Sequence, residues 1–265
     1  LVTAKEGYIG KILRINLSKR KAITQELDRE LLYTYLGGRG LGICLLYSEL
    51  PPRVDPLDSK NILYFLTGPL TGTMTPFTSK YVVVTKSPLT GTYTRSLAGG
   101  HFGPELKFAG YDGVSIEGKA EKPTYLWIDN EKIEFKDASH LWGKTTRETD
   151  EIIIKELGDD SVRIVCIGQA GENKVRFACI MNDLFRAAGR GGTGAVMGSK
   201  NLKAVAVRGT MGVKIAYMKT FKKALLDAYK SITNHPGTAS RKIYGTTESV
   251  ASIGLFGGIP TRNFQ

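Results

Sequence analysis

No apolar run in this sequence approaches the roughly 20 residues that a bilayer span requires. Its first residues, Leu1-Val2-Thr3-Ala4-Lys5-Glu6, lack the basic start and apolar stretch of a signal peptide. The expectation is a cytoplasmic chain with no membrane partner. Cysteine is scarce: Cys44, Cys166 and Cys179 lie far apart, and no C-x-x-C pair exists, which excludes a zinc or cluster motif within the sequence. Each sits in an apolar pattern, so buried free thiols in a reducing compartment are expected. Histidine is as scarce. His101, His140 and His235 stand alone and read as structural, His140 beside Trp142 and His235 in a turn before Pro236. Acidic side chains are also short, 25 against 37 basic, for a net charge of +12. That balance calls for an anionic partner: nucleic acid, a phosphate-rich cofactor or an acidic protein. No nucleic-acid motif or basic-aromatic stripe is present, so a basic nucleic-acid-binding module stays an alternative only, and most basic residues read as solvated surface.

Strand patterns dominate. Residues 8–17 alternate apolar and polar, 22–26 can return as a hairpin, and 61–66, 81–86, 113–117, 124–129, 132–136, 162–167, 175–180 and 204–207 read as further strands. Asp28 caps a helix to Leu36, the glycines of 37–42 interrupt it, and a second helix runs to Leu50 before Pro51-Pro52. A longer helix fits 146–157. Helices inserted among strands predict an α+β fold rather than a doubly wound sheet. Residues 1–210 read as one complete domain. Residues 211–265, with an amphipathic helix over 219–232, read as the start of a second, mainly helical domain that is cut off.

Glycine is plentiful and patterned. "GRGGTGAVMGSK", Gly189–Lys200, resembles two phosphate loops and matches neither. A Walker loop ends Gly-Lys-Ser/Thr, whereas this one ends Gly-Ser-Lys, and no strand–glycine–helix opening precedes it. A nucleotide-binding protein using this loop is therefore the second alternative. The stretch belongs instead to a repeat. Segments from Tyr81 and from Val175 each run strand, basic loop, Gly-Gly pair, short helix, Lys, closing strand. Gly99-Gly100 faces Gly191-Gly192, Glu105-Leu106-Lys107 faces Asn201-Leu202-Lys203, and Val114–Gly118 faces Val205–Gly209. Two such units about a pseudo-two-fold would bring both glycine loops to one groove. Backbone N–H groups and the guanidinium forks of Arg95, Arg186 and Arg190 would there meet a flat or paired phosphate-bearing ligand. Asp183 reads equally as a ligand contact or a cap, Arg39 as a local anchor, and Glu105 and Asp112 as an acid–base pair or as partners of Lys107 and Lys200.

These residues resemble the N-terminal domain of the tungsten-containing aldehyde:ferredoxin oxidoreductase family. The matching stretches include "LGGRGLG" (36–42), "VVTKSPLTG" (83–91), "GGHFGPELKFAGYDG" (99–113), "IGQAGEN" (167–173) and "IMNDLFRAAGRGGTGAVMGSKNLKAVAV" (180–207), in order over about residues 7–209. The resemblance implies two β-sheets related by a pseudo-two-fold, holding a tungsten bis-pterin (tungstopterin) with no direct protein ligand to tungsten. It implies that Arg186, Ala187, Gly189 and Arg190 contact one pterin and its phosphate. Leu97, Gly99, the adjoining Gly100 and the 76–80 loop with Lys80 would contact the other. Backbone carbonyls of Leu97 and Ala187 would hold a magnesium ion between the pterin phosphates. Lys80 stands where the family often has Arg and loses the bidentate fork; Leu97 stands where Asn is common. The implied activity is oxidation of aldehydes to carboxylic acids, with tungsten cycling between W(VI) and W(IV) and ferredoxin accepting electrons. The cysteines for a 4Fe–4S cluster and the acid–base residues belong to later family domains. No catalytic residue is therefore assigned, and the chain alone is expected to be inactive and, with uncovered apolar surface, to self-associate as a homo-oligomer.

Overall fold

A computed structural model describes residues 6–263; Leu1–Lys5 and Phe264–Gln265 lie outside it, and with them most of the N-terminal stretch read above. The chain divides into two compact units between Ala216 and Tyr217. In the first unit the elements run β1 (Lys11–Asn16), β2 (Lys21–Glu26), α1 (Arg29–Tyr35), α2 (Gly38–Glu49), β3 (Leu63–Leu66), β4 (Tyr81–Lys86), β5 (Tyr93–Ala98), α3 (Phe102–Phe108) and β6 (Gly113–Glu117). They continue as β7 (Thr124–Asp129), β8 (Lys132–Asp137), α4 (Thr146–Leu157), β9 (Arg163–Cys166), α5 (Gln169–Glu172), β10 (Ile180–Asn182), β11 (Arg186–Ala188), α6 (Thr193–Ser199) and β12 (Leu202–Arg208).

Two six-stranded sheets result, ordered β2-β1-β6-β3-β4-β5 and β11-β10-β9-β12-β7-β8. The second is the first with each strand number raised by six, read in reverse. In each, only the first and last strands of the half pair in parallel (β1 with β6, β7 with β12), and the other neighbours are antiparallel. The repeat therefore spans both halves completely. Its register differs from the sequence alignment at one place. Glu105–Lys107 lie on α3, whose counterpart is α6, while Leu202 and Lys203 already belong to β12.

Strand alternation builds the layers. Leu13, Ile15, Phe65, Tyr81, Val83 and Val114 of the first sheet meet Leu126, Ile128, Val165, Ile180 and Val205 of the second in a central core, which also takes Phe102 and Leu106 from α3 and Val196 and Met197 from α6. The opposite face of the first sheet (Ile12, Tyr64, Leu66, Val82, Val84) packs under Leu41, Leu45 and Leu46 of α2. That of the second (Tyr125, Trp127, Ile164, Ala204) packs under Ile153 of α4. The order is helix, sheet, sheet, helix. Each fully buried leucine or isoleucine contributes about 1.5–3 kcal/mol, so these faces account for much of the drive to fold. A capping box starts α4, with Thr145 and Glu148 exchanging side-chain-to-backbone bonds, and Gly158 ends it at φ 67°.

The interruption expected over 37–42 is confined to Leu36 and Gly37, at φ 58° and 98°; α2 begins at Gly38 and runs through the remaining glycines. Close packing explains their number, since a Cβ on Gly42 would sit 2.6 Å from Val84 Cγ2. The strand expected over 175–180 begins only at Ile180, and β5 and β11, read as polar loop, are strands. Cys166 is buried, whereas Cys44 and Cys179 are half-buried.

The second unit contains α7 (Met218–Asn234), α8 (Pro236–Tyr244) and α9 (Val250–Leu255), with no buried residue on any of them. His235 Nδ1 accepts the Gly237 N–H at 3.1 Å and caps α8, where Pro236 is pre-set for a first turn. No helix among the described residues is long and apolar enough to cross a membrane.

Candidate functional site

β5 and β11 are the terminal strands of their sheets, and the two edges meet. Between them lies a groove of about 740 Å³ lined by Tyr93, Thr94, Arg95, Ser96, Leu97, Ala187, Gly189 and Arg190. Pleating decides which side chains reach it. Ser96, Ala98 and Ala188 are buried, and Arg95, Leu97 and Ala187, one step out of phase, are exposed. Ladder register makes the halves equivalent here. Ala98 pairs with Tyr81, the first residue of β4, and Ala188 pairs with Ile180, the first residue of β10. Leu97 and Ala187 are thus counterparts, and both line the groove.

The groove is basic. Arg95 and Arg190 line it, Lys80 and Arg186 lie outside the lining, and all four are exposed; among the described residues none of them forms an ion pair with a carboxylate. Burial raises the Tyr93 phenol above its ordinary value, opposed by the nearby charges of Arg95 and Arg39. Unpaired guanidiniums over an apolar floor of Leu97 and Ala187 suit an extended ligand with anionic ends. Among the described residues no three His, Cys, Asp or Glu side chains gather as a metal site. A metal here would rest on backbone oxygen or on atoms of a ligand.

Of the residues the sequence singled out, Leu97, Ala187, Gly189 and Arg190 line the groove, together with Arg95. Lys80 precedes β4, Arg186 opens β11, and Gly99-Gly100 follows β5; these four lie outside its lining. The glycine pairs do not face one another across it. Each is packed into the other half. Gly100 has φ 94°, and a Cβ there would lie 1.8 Å from Asp183 Oδ2; Gly191 has φ 72°, and a Cβ would lie 2.1 Å from Thr94 Oγ1 of β5. Asn182 Nδ2 donates to the Gly99 carbonyl at 2.9 Å, and Asp183 Oδ2 accepts the His101 N–H at 2.7 Å. From the first half, Ser87 Oγ donates to the Gly191 carbonyl at 2.8 Å, and Ser96 Oγ accepts the Arg190 N–H at 2.9 Å. Asp183 also lies near enough to Asp150 that burial, with Asp183 second, raises the Asp150 carboxyl to about 6.

Most of the remaining charged candidates are held in structural contacts. Asp112 pairs with Lys107 at 2.6 Å and Glu105 with Arg208 at 2.9 Å, so they form no acid–base pair. Lys200 is fully buried and donates to the carbonyls of Ser59, Asn61 and Gly118. An ammonium so enclosed cannot reach a phosphate, which removes the nucleotide-loop reading. His140 Nε2 meets Glu156 Oε1 at 2.6 Å, and Arg39 offers its carbonyl to Tyr93 Oη at 3.4 Å. Sequence reasoning missed Ser87, Ser96 and Asn182. Ser87 follows β4 and Ser96 lies in a strand that read as polar loop; Asn182 alone, at the end of β10, stood out as polar after an apolar run.

Comparison with known proteins agrees with this geometry. The family model described as aldehyde ferredoxin oxidoreductase, N-terminal domain, matches residues 12–209. A tungsten-containing aldehyde ferredoxin oxidoreductase of Pyrococcus furiosus is 52% identical over 98% of this chain and 43% of its own length. An aliphatic sulfonate oxidoreductase, WOR-like subunit, of the same organism is 42% identical over 83% of this chain and 37% of its own. Among solved structures, the active-site complex BamBC of benzoyl coenzyme A reductase, in complex with 1,5-dienoyl-CoA, matches with a TM-score of 0.84 at 39% identity, covering 86% of this chain and 35% of that one. The chain spans less than half the length of these relatives.

Proposed function

The chain belongs to the aldehyde ferredoxin oxidoreductase family, and on that premise we propose that the β5–β11 groove seats a tungsten cofactor carried by two pterins. The observation that supports this most is the equivalence of Leu97 and Ala187 at the centre of a groove rimmed by unpaired arginines. A cofactor with two similar arms calls for two similar half-sites. Arg190 and Arg186 hold the phosphate of one pterin, with Ala187 and Gly189 against its body. Arg95 and Lys80 serve the other, with Leu97, Gly99 and Gly100. The backbone carbonyls of Leu97 and Ala187 would help hold a magnesium ion. When bound, the group supplies two-electron redox chemistry. The chain's own residues bind it, orient it and neutralise its phosphates.

The relatives differ in the substrates their names give, so this domain carries the cofactor and further polypeptide selects the substrate. We place aldehyde oxidation to carboxylic acid, the 4Fe–4S cluster and the transfer to ferredoxin in the assembled protein, with cluster ligands outside residues 1–265. Residues 211–265 open the second, helical domain. The test is production in a host that makes tungstopterin, followed by tungsten and pterin analysis. The parent and Lys214→Ala should retain both, and Arg190→Ala and Arg95→Ala should lose most of them. Each lost charge-assisted bond costs about 1.5–3 kcal/mol, roughly 10- to 150-fold in affinity. Equal cofactor content in all four proteins would refute the assignment.

A further inference from the structure

Three sulfur atoms gather on the outer face of the second sheet. Alternation places Val165, Ile167 and Ile180 in the central core and turns Cys166 to the opposite face, in the cluster under α4. Met181 pairs with Cys166 in register, so its side chain lies on that same face. Cys179, two residues before Met181, joins it there: its Sγ–H donates to Met181 Sδ at 3.6 Å. Cys179 is thereby the diagonal neighbour of Cys166 across the β9–β10 pair. Burial pushes the Cys166 thiol up to about 12; Asp150 and Cys179 add to the rise, and Lys203 opposes it. Cys166 is enclosed and donates to the Thr146 carbonyl of α4 at 3.6 Å, whereas Cys179 and Met181 are only half-buried and open to solvent on one side. Among the described residues no further His, Cys, Asp or Glu completes a metal site with the two cysteines. The Met181 thioether is the third donor.

We propose that Cys166, Cys179 and Met181 form a site for a thiophilic monovalent cation, cuprous copper. Two thiolates and a thioether are soft donors, which select Cu(I) over harder divalent ions. Metal–thiolate bonds of about 2.3 Å at tetrahedral to trigonal angles set two sulfurs roughly 3.8–4.0 Å apart. The Cys179–Met181 spacing of 3.6 Å therefore needs only a small opening. Binding releases the two thiol protons to water, forms two copper–thiolate bonds and one copper–thioether bond, and leaves the metal in its +1 state. Structural zinc takes four protein ligands, so three sulfurs suit it less. The site lies one strand in from the groove, because Met181 also pairs with Ala187, and it is independent of any cofactor there.

The test titrates the 265-residue chain, without cofactor, with Cu(I) under anaerobic reducing conditions against the chromogenic chelator bicinchoninate. The parent and Cys44→Ser, a change in α2 on the other sheet, should each withdraw a single copper from the chelator. Copper X-ray absorption of the isolated complex should show a first shell of sulfur alone. Cys179→Ser and Met181→Leu should each weaken binding by about tenfold or more, since even outer-shell partners of a metal site are worth that much. Both positions are half-buried, and Met181→Leu conserves volume, so the fold survives. Cys166→Ser should weaken binding likewise, and if it does not fold, the other two variants decide. Four results would each overturn the proposal: no copper withdrawn by the parent, an oxygen or nitrogen shell, unchanged affinity in Cys179→Ser or Met181→Leu, or a loss in Cys44→Ser as large as that in Cys179→Ser.

Discussion

Lys107→Met should destabilise the first unit severely, and the reason lies in one buried pair. Lys107 Nζ contacts Asp112 Oδ1 at 2.6 Å, with side chains 0% and 3% exposed. The ammonium also donates to the Gly7 carbonyl at 2.6 Å, and Asp112 Oδ2 accepts the Gly10 N–H at 2.6 Å. The pair joins α3 to the segment entering β1. Burial lowers the Lys107 pKa even though Asp112 raises it, so desolvation outweighs the attraction. Removing one partner leaves an uncompensated buried charge, a cost of about 3–5 kcal/mol in either Lys107→Met or Asp112→Leu. That is a large share of the roughly 5–15 kcal/mol by which a domain is stable. Removing both leaves no orphan charge, and such apolar replacements are often neutral or better. The double variant should therefore lie within about 2 kcal/mol of the parent, where additivity would give about 6–10. Urea denaturation followed by tryptophan fluorescence gives all four free energies. A single substitution costing under about 1 kcal/mol, or a double equal to the sum of the singles, would refute the reasoning.

Burial pushes the Lys200 pKa down to about 8 from 10.5, so between those values the unfolded chain binds more protons than the folded one. Stability should therefore rise with pH from about 8 toward 10.5, and the rise should be smaller in Lys200→Met, where only the lowered Lys107 remains to contribute, measured by denaturant titration at stepped pH; an equal slope in both proteins would exclude Lys200 as a source. The 265-residue chain alone, even when loaded with cofactor, should show no aldehyde-dependent reduction of a viologen dye, because the proposed function puts cluster and substrate residues in further polypeptide. Turnover above the dye blank would contradict that division of labour.

Much of this fold was legible because its strands have one or two apolar faces. β4 reads YVVVTK and is buried on both sides, and α4 declares itself through the Thr145–Glu148 box and Gly158. β5, YTRSLA, was not legible. Its outward face lines the groove, so Arg95 and Leu97 stand where the pattern calls for neither. The Gly38–Gly42 stretch reads as a breaker because local propensity ignores the sheet against which α2 lies. Of the candidate site, the arginines and glycines were visible as a cradle for an anion. Asn182 and Ser87 were not, because their partners lie 83 and 104 positions away in sequence.

Each sheet is drawn from one continuous stretch, residues 11–117 for the first and 124–208 for the second. On the ribosome, the earlier sheet can close once β6 emerges, by pairing with β1 across about a hundred residues of chain. Closing so long a loop is slow, and the sheet so formed has its inner face uncovered until its counterpart is made. That nascent half is the species most exposed to aggregation or to a chaperone. It also lacks β11, and with it one edge of the groove. On the proposed reading a cofactor could seat there only after synthesis has passed β11.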